Sequence, residues 1–404
     1  MNRVVITGMG IISPIGNRVE SVWEALTHGR SGIVKVQDWE AVKELKASLA
    51  GGCKDYSPKR IKRKDRRTMG TMTLMAALSA MDALDQAGIC DDILSSGQVG
   101  VAMGSTTGSG DVLQTLFNDF AETGGISRLE GTAFMKIMNH SVAANLAAML
   151  GAKGRVISPC CACATSTQSI GMGYEAVRSG CQDIMICGGA DELHFSTAGV
   201  FDVLNAASRQ TDPSLSPRPF DADRDGLVVG EGAGTLIIEN LDHAKKRKAK
   251  ILGEIIGFNT CCDGFHMTSP QDKGMLSCMT GALASAGCTI RDIDYVNAHA
   301  TGTLKGDAAE SRAIAMLGDH TIPVSATKGY TGHTLAASGV MEAIFCLLMM
   351  KHNTLIPTRN LKTVAKDCAG ISHVTGLSEA TIDTVMTSNF AFGGINATLI
   401  FKKY

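Results

Sequence analysis

Apolar residues along this chain of 404 residues follow two alternating patterns. Short apolar runs at 4–7, 99–103, 184–187, 235–238, 295–297, 384–388 and 398–401 are too brief for helices and predict buried strands. Between them lie longer stretches, 72–86, 164–179, 273–286, 307–317 and 335–350, whose apolar positions recur at helical spacing. Strands alternating with helices predict an α/β fold. The opening run Val4-Val5-Ile6-Thr7-Gly8-Met9-Gly10-Ile11-Ile12 is broken by glycines and reads as a first buried strand and its turn, not a leader.

The pattern also echoes itself. Residues 158–183 and 325–353 share an order: short strand, small-residue turn, Gly-rich helix start, amphipathic helix, polar stop. A duplicated α/β half would produce this, with halves 1–250 and 251–404 meeting after the basic segment Lys245-Lys246-Arg247-Lys248.

Composition narrows the function classes. A net charge of −1 gives no reason to expect nucleic-acid binding, and 5% aromatic residues argue against a base-stacking platform. Thirteen cysteines, an odd number at irregular spacing, predict reduced thiols in a cytoplasmic protein. The longest apolar stretch, 340–350, is too short to cross a bilayer and contains Glu342, so membrane insertion is not expected. The run Lys59-Arg60-Ile61-Lys62-Arg63-Lys64-Asp65-Arg66-Arg67 stands out in a nearly neutral chain, although most such runs are solvated surface.

Four segments carry candidate chemistry. Cys163, within Ile157-Ser158-Pro159-Cys160-Cys161-Ala162-Cys163-Ala164-Thr165-Ser166, falls where a strand hands over to a helix. Unpaired N–H groups and the positive end of the peptide dipoles there favour thiolate. Asn297-Ala298-His299-Ala300-Thr301-Gly302-Thr303 follows a strand, where α/β proteins place their sites. Ser325-Ala326-Thr327-Lys328-Gly329-Tyr330-Thr331-Gly332-His333-Thr334 adds a cation and a second histidine. Asn389-Phe390-Ala391-Phe392-Gly393-Gly394-Ile395-Asn396 adds a Gly-rich backbone before the last strand. A nucleophile, two neutral nitrogen donors, a cation and backbone N–H groups suit acyl transfer through a thioester. Glu342, costly in an apolar helix unless paired, is a natural partner for Lys328. Cys160 and Cys163 also have C-x-x-C spacing, but no further ligands at metal-site spacing accompany them, so no metal is expected. Asp307 and Glu310 read as a helix cap with a companion carboxylate, and Cys261-Cys262 as structural.

The order of Cys163 in Ala-Cys-Ala-Thr-Ser, His299 in Asn-Ala-His-x-Thr-x-Thr, Lys328 and His333 in Thr-Lys-x-x-Thr-Gly-His, and Phe390-Ala391-Phe392-Gly393-Gly394 resembles the β-ketoacyl-[acyl carrier protein] synthases of the thiolase superfamily. Arg218-Pro219-Phe220-Asp221 through Gly230-Glu231-Gly232-Ala233-Gly234 resembles the family's central signature. The resemblance implies a thiolase-like, duplicated α-β-α-β-α five-layer fold and a dimer, either of two copies or with a related synthase-like subunit. It implies decarboxylative condensation of an acyl thioester on Cys163 with malonyl-carrier, aided by His299, His333 and Lys328. N–H groups of Cys163 and Phe390 would form the oxyanion hole, Phe390 would gate the acyl pocket, and Glu342, Phe392, Gly393 and Gly394 would support the site. Thr301 and Thr303 would hold the pantetheine arm, Thr107 and Phe201 would contact substrate, and Lys62, Arg63, Arg66 and Arg67 would dock an acidic acyl carrier protein. No cofactor is implied beyond the phosphopantetheine that arrives on the carrier. A non-decarboxylating thiolase is the weaker alternative, since a histidine pair stands where thiolases use a second cysteine. A subunit that only sets chain length would lack the nucleophile.

The chain departs from the family's usual His-Gly-Thr-Ser-Thr-Pro at Ala300, Gly302 and Leu304, and carries Gly329-Tyr330, Ala391 and Ile395 where other residues are usual. Ala300 is expected to narrow backbone freedom beside the histidine. These changes point to a specialised substrate range, such as unsaturated or polyketide-like chains.

Overall fold

Each apolar run becomes a strand, and eleven strands join in one mixed sheet. This computed structural model describes residues 1–318 and 320–404. The strands are β1 (Val4–Ile12), β2 (Val99–Gly104), β3 (Val156–Ile157), β4 (Ile184–Asp191), β5 (Gly232–Asn240), β6 (Gly253–Cys262), β7 (Tyr295–Asn297), β8 (Pro323–Ser325), β9 (Ser372–His373), β10 (Thr384–Ala391) and β11 (Ile395–Lys402). Their spatial order is β9-β8-β7-β10-β11-β6-β1-β5-β4-β2-β3.

Apart from the edge strand β9, that order reads the same outward from the middle in both directions. One side runs β1-β5-β4-β2-β3 and the other β6-β11-β10-β7-β8. Strand directions repeat too: the first two neighbours on each side pair antiparallel and the next two parallel. One α/β unit therefore occurs twice, and β1 pairs antiparallel with β6 where the copies meet.

The main helices are α1 (Thr71–Ala87), α2 (Gly110–Thr123), α3 (Thr165–Arg178), α4 (Phe195–Val203), α5 (Asp272–Ala286), α6 (Leu304–Ala315) and α7 (Ser338–His352). Helix α1 covers the outer face of the sheet's first half and α5 that of its second, while α3 and α7 pack against each other between the halves. The layers run α-β-α-β-α. Helix α7 is buried all round from Ser338 to Met350, so it shows no amphipathic stripe. Among the described residues Leu335–His352 is the one helical stretch apolar enough to cross a bilayer, and 89% of it lies buried in the fold.

Two elements differ from the sequence pattern. The glycines of the first run do not end a strand, because β1 continues through them to Ile12. Helix α1 lies so close that a Cβ at Gly8 would sit 2.1 Å from the Ala83 carbonyl oxygen, and one at Gly10 2.0 Å from that of Ser79. Helix α6 starts at Leu304 rather than 307, because Thr303 is the extended residue that precedes it (φ −88°, ψ 142°).

Candidate active site

The duplication brings two similar turns to the centre of the molecule. A 3-10 turn Ala162–Ala164 leads into α3, and a 3-10 turn Leu335–Ala337 leads into α7. Each opens on a non-glycine residue of left-handed backbone, Ala162 at φ 45° and Leu335 at φ 49°. Cys163 occupies the middle of the first turn and Ala336 that of the second, so only the first turn carries a thiol.

Around Cys163 the chain gathers residues from four segments. His333 Nε2 lies 2.9 Å from Cys163 Sγ. The ligating atoms of Cys163, His299 and His333 all fall within 4.8 Å of one another, and all three side chains are buried. Lys328 and Glu342, both buried, are hydrogen-bonded as an ion pair, as their residue types predict.

Hydrogen bonds fix which ring nitrogens carry protons. His299 Nδ1 faces two donors, Lys328 Nζ at 3.2 Å and Asn389 Nδ2 at 3.1 Å. It must accept, which leaves the hydrogen on Nε2. His333 Nδ1 accepts from the Leu335 N–H at 3.3 Å and lies 3.0 Å from Ser338 Oγ, so its Nε2 also carries the hydrogen and points at Cys163. Burial first, and then the Lys328 charge, hold both histidines well below their usual pKa, so both are neutral donors. A three-ligand cation site would need both Nε2 atoms bare, against these tautomers and beside the Lys328 ammonium.

The thiolate expected at Cys163 is not the resting form. Burial pushes the thiol up to about 12, with Lys328 pulling the other way. A helix start contributes about 0.3–1 kcal/mol, whereas one pKa unit is about 1.4 kcal/mol, so the dipole cannot offset desolvation. The second backbone donor also differs from expectation. The N–H groups that reach the Cys163 sulfur are its own and that of Phe392, not that of Phe390. Phe390 still belongs to β10, paired with Asn396, and its ring meets the edge of His299 at 6.3 Å between centroids. Phe392 lies in the turn that follows, with Gly393 (φ 86°) and Gly394 (φ 70°), and its ring packs tilted against Phe201 at 5.6 Å between centroids. The second N–H at the sulfur is therefore that of Phe392 rather than that of Phe390.

Asp307 and Glu310 do not cap α6. They lie inside it and clamp the histidine loop: Glu310 accepts the N–H groups of His299 and Ala300, each at 2.7 Å, and Asp307 those of Thr301 and Gly302 at 3.0 and 3.1 Å. Burial pushes Glu310 up to about 8 and Asp307 up to about 6. Ala300 is not strained; the left-handed residue of this loop is Gly302 at φ 84°. Tyr330 is core, its hydroxyl donating to the Pro357 carbonyl at 3.0 Å.

A cavity of about 310 Å³ opens onto this cluster. Cys163, His299 and His333 line its buried end, Thr301 and Thr303 one wall, and Phe201, Phe390 and Phe392 another. Met267 and Leu304, both exposed, mark its mouth. Thr107 is not part of it, being exposed on the loop after β2 with its hydroxyl bonded to the Gly108 carbonyl. Lys62, Arg63 and Arg67 are exposed and Arg66 half-buried, around the short helix Arg63–Arg66.

Two residues of the site were given no role from the sequence. Asn389 bridges His299 Nδ1 and Glu342 Oε2, the latter at 2.7 Å, and its Oδ1 accepts from Thr167. The signal was an amide inside an apolar strand run. Asp191, fully buried at the end of β4, accepts the Thr106 N–H at 3.1 Å and the Ala336 N–H at 2.7 Å. It thereby pins the turn that holds His333, and burial pushes it up to about 7.

Comparison with known proteins places this geometry. Residues 1–244 match the family description "Beta-ketoacyl synthase, N-terminal domain" and residues 252–362 match "Beta-ketoacyl synthase, C-terminal domain". The chain is 38% identical to 3-oxoacyl-[acyl-carrier-protein] synthase 1 of Haemophilus influenzae over 408 residues, covering 100% of both. A crystal structure of a β-ketoacyl synthase from Burkholderia phymatum superposes with a TM-score of 0.97 at 41% identity, again over 100% of both chains. The ishigamide ketosynthase/chain length factor superposes at 0.94 with 32% identity, over 100% of this chain and 99% of that one.

Proposed function

This chain belongs to the β-ketoacyl synthase family, and from that premise we propose that it condenses an acyl group held on Cys163 with malonyl-[acyl carrier protein]. The observation that carries the reading is the buried triangle of one thiol and two neutral Nε2–H donors at the end of a cavity. Cys163 first takes the acyl group from its carrier, and the thiol proton leaves on the pantetheine sulfur. Malonyl-carrier then enters, with Thr301 and Thr303 flanking the pantetheine arm. Its thioester carbonyl receives the two Nε2–H groups, so loss of carbon dioxide leaves an enolate whose oxygen is already hydrogen-bonded. The enolate carbon attacks the Cys163 thioester, and the N–H groups of Cys163 and Phe392 take up the charge on its oxygen. Collapse releases 3-oxoacyl-carrier, and the Cys163 sulfur recovers a proton. Every donor is aimed where negative charge develops, and decarboxylation replaces a base strong enough to deprotonate carbon. Phosphopantetheine comes with the carrier, and the chain needs no cofactor of its own.

Mass spectrometry after exposure to a panel of acyl-carriers tests this. Acyl mass is expected on the peptide bearing Cys163 and absent from Cys163→Ala. Acylation persisting at Cys160 or Cys161 overturns the assignment.

The carrier docks on the cations around the helix Arg63–Arg66. Charge reversal at Arg63 and Arg67 should raise KM for a carrier-linked substrate and leave a small thioester analogue unaffected. An equal effect on both sinks the docking assignment.

A second subunit covers α2 and the segment after it. Phe117, Phe120, Ile126 and Phe134 there are 60%, 56%, 76% and 67% exposed, too much apolar surface for a solvated face. Strand β3 also leaves one edge of the sheet open. The occupant is a second synthase-like subunit. Likeness to a ketosynthase/chain length factor supports a related partner as a second reading beside a second copy. Native mass spectrometry of the chain alone and with candidate partners separates the two.

A further inference from the structure

Three cysteines lie away from the nucleophile, at the end of β6 and on α5. Cys261 and Asn259 are two apart on β6 and share its face, while Gly274 and Cys278 are one turn apart on α5. Cys261 Sγ lies 3.5 Å from the Gly274 carbonyl oxygen, and Cys278 Sγ 3.4 Å from that of Asn259. The strand and the helix thus cross with both thiols at the same contact between them. Cys278 is buried and Cys261 half-buried, so solvent reaches one sulfur of the pair.

The pair is wired to the oxyanion turn. Asn396, the cross-strand partner of Cys261, places Nδ2 3.9 Å from the Cys261 sulfur and 2.6 Å from Asp263 Oδ1. The Asp263 N–H donates to the Gly394 carbonyl at 2.8 Å, and Cys262 Sγ lies 3.4 Å from the Gly393 carbonyl oxygen. Those glycines follow Phe392, whose N–H reaches the nucleophile.

We propose that Cys261 and Cys278 form a second reactive-thiol site, which a peroxide oxidises to a disulfide that slackens the turn carrying Phe392. In the first step Cys261 sulfur attacks the peroxide O–O bond, giving a sulfenic acid and, from hydrogen peroxide, one water. Cys278 sulfur then displaces the hydroxyl, which leaves as a second water as the S–S bond forms. Two thiols lose two electrons and two protons, and the peroxide takes up both. Cys261 is half-buried where Cys163 is buried, and its contact with Cys278 holds it below the usual thiol range while burial pushes Cys163 up, so peroxide meets the pair before the catalytic thiol. Drawing the Cys261 sulfur into bonding distance of Cys278 lengthens its 3.9 Å contact with Asn396 and loosens the Asn396–Asp263–Gly394 strap. The consequence for activity rests on the condensing reading; the disulfide itself does not.

The test is limited treatment of the whole enzyme with hydrogen peroxide, then non-reducing peptide mapping. A linkage between the peptide bearing Cys261 and Cys262 and the one bearing Cys278 and Cys288 is expected. It should persist in Cys262→Ser and vanish in both Cys278→Ser and Cys261→Ser. Condensation should fall about tenfold, less than loss of an oxyanion donor costs, and return with dithiothreitol. Cys278→Ser should keep its activity through the same treatment. No linkage in wild type when the exposed thiols have oxidised, or a linkage surviving in Cys278→Ser, overturns the site. A linkage with activity unchanged overturns its coupling to Phe392, and absence of condensation in the untreated enzyme counts against the condensing reading alone.

Discussion

Glu342→Ala should lower stability by about 3–5 kcal/mol, the usual consequence of stripping one partner from a buried ion pair. Lys328 and Glu342 have side chains 2% and 3% exposed, the latter on the fully buried helix α7. With the carboxylate gone, the ammonium's remaining hydrogen-bond partner among the described residues is the neutral His299 ring at 3.2 Å, an acceptor that cannot balance a charge. Asn389 Nδ2 loses an acceptor as well. Lys328→Met in the same background removes the stranded charge, so the double variant should recover most of the lost stability. Denaturant unfolding of wild type, the single variant and the double variant measures this. A double variant no more stable than Glu342→Ala would mean that packing around α7, rather than the unpaired ammonium, sets the loss.

The layout of the fold was legible because β-branched runs and helical spacing repeat in the same order on both sides of residue 250, and the sheet repeats that order strand for strand. The glycines of β1 misled, because their cause lies in α1, some seventy residues along the chain. Motif order singled out Cys163, His299, Lys328 and His333. It could not separate Phe390 from Phe392, since both aromatics flank one alanine and only the hairpin turn decides which N–H meets the sulfur. Nor could it give the thiol's resting state, which depends on how completely the folded chain removes water from Cys163. Asp307 and Glu310 looked like caps because sequence places them near a helix start, whereas the fold bends the preceding loop back onto them.

His299→Ala should separate the two halves of the reaction, slowing decarboxylation by about 10²–10³-fold, as loss of one preorganised donor does elsewhere, while Cys163 still accepts its acyl group. On the proposed mechanism the first half uses the thiol and the N–H groups of Cys163 and Phe392, and the second uses both Nε2–H donors at the malonyl thioester oxygen. pH dependence follows from the same arrangement. Burial and Lys328 depress both histidines below 6.5, so at neutral pH the donors are already neutral. Acid must protonate them against that depression, and decarboxylation should stay level as pH falls through 6.5. The linked stability has the matching sign: these histidines bind fewer protons folded than unfolded, so their contribution is present above 6.5 and lost as pH falls toward their folded values. Lys328→Met removes the charge that helps depress them, so its acid limb should move up in pH. Single-turnover release of carbon dioxide from malonyl-carrier, followed across pH with acylation measured separately, reads all of this. Equal slowing of both halves in His299→Ala, or an acid limb that does not move in Lys328→Met, would contradict a neutral donor pair set by burial and one fixed charge.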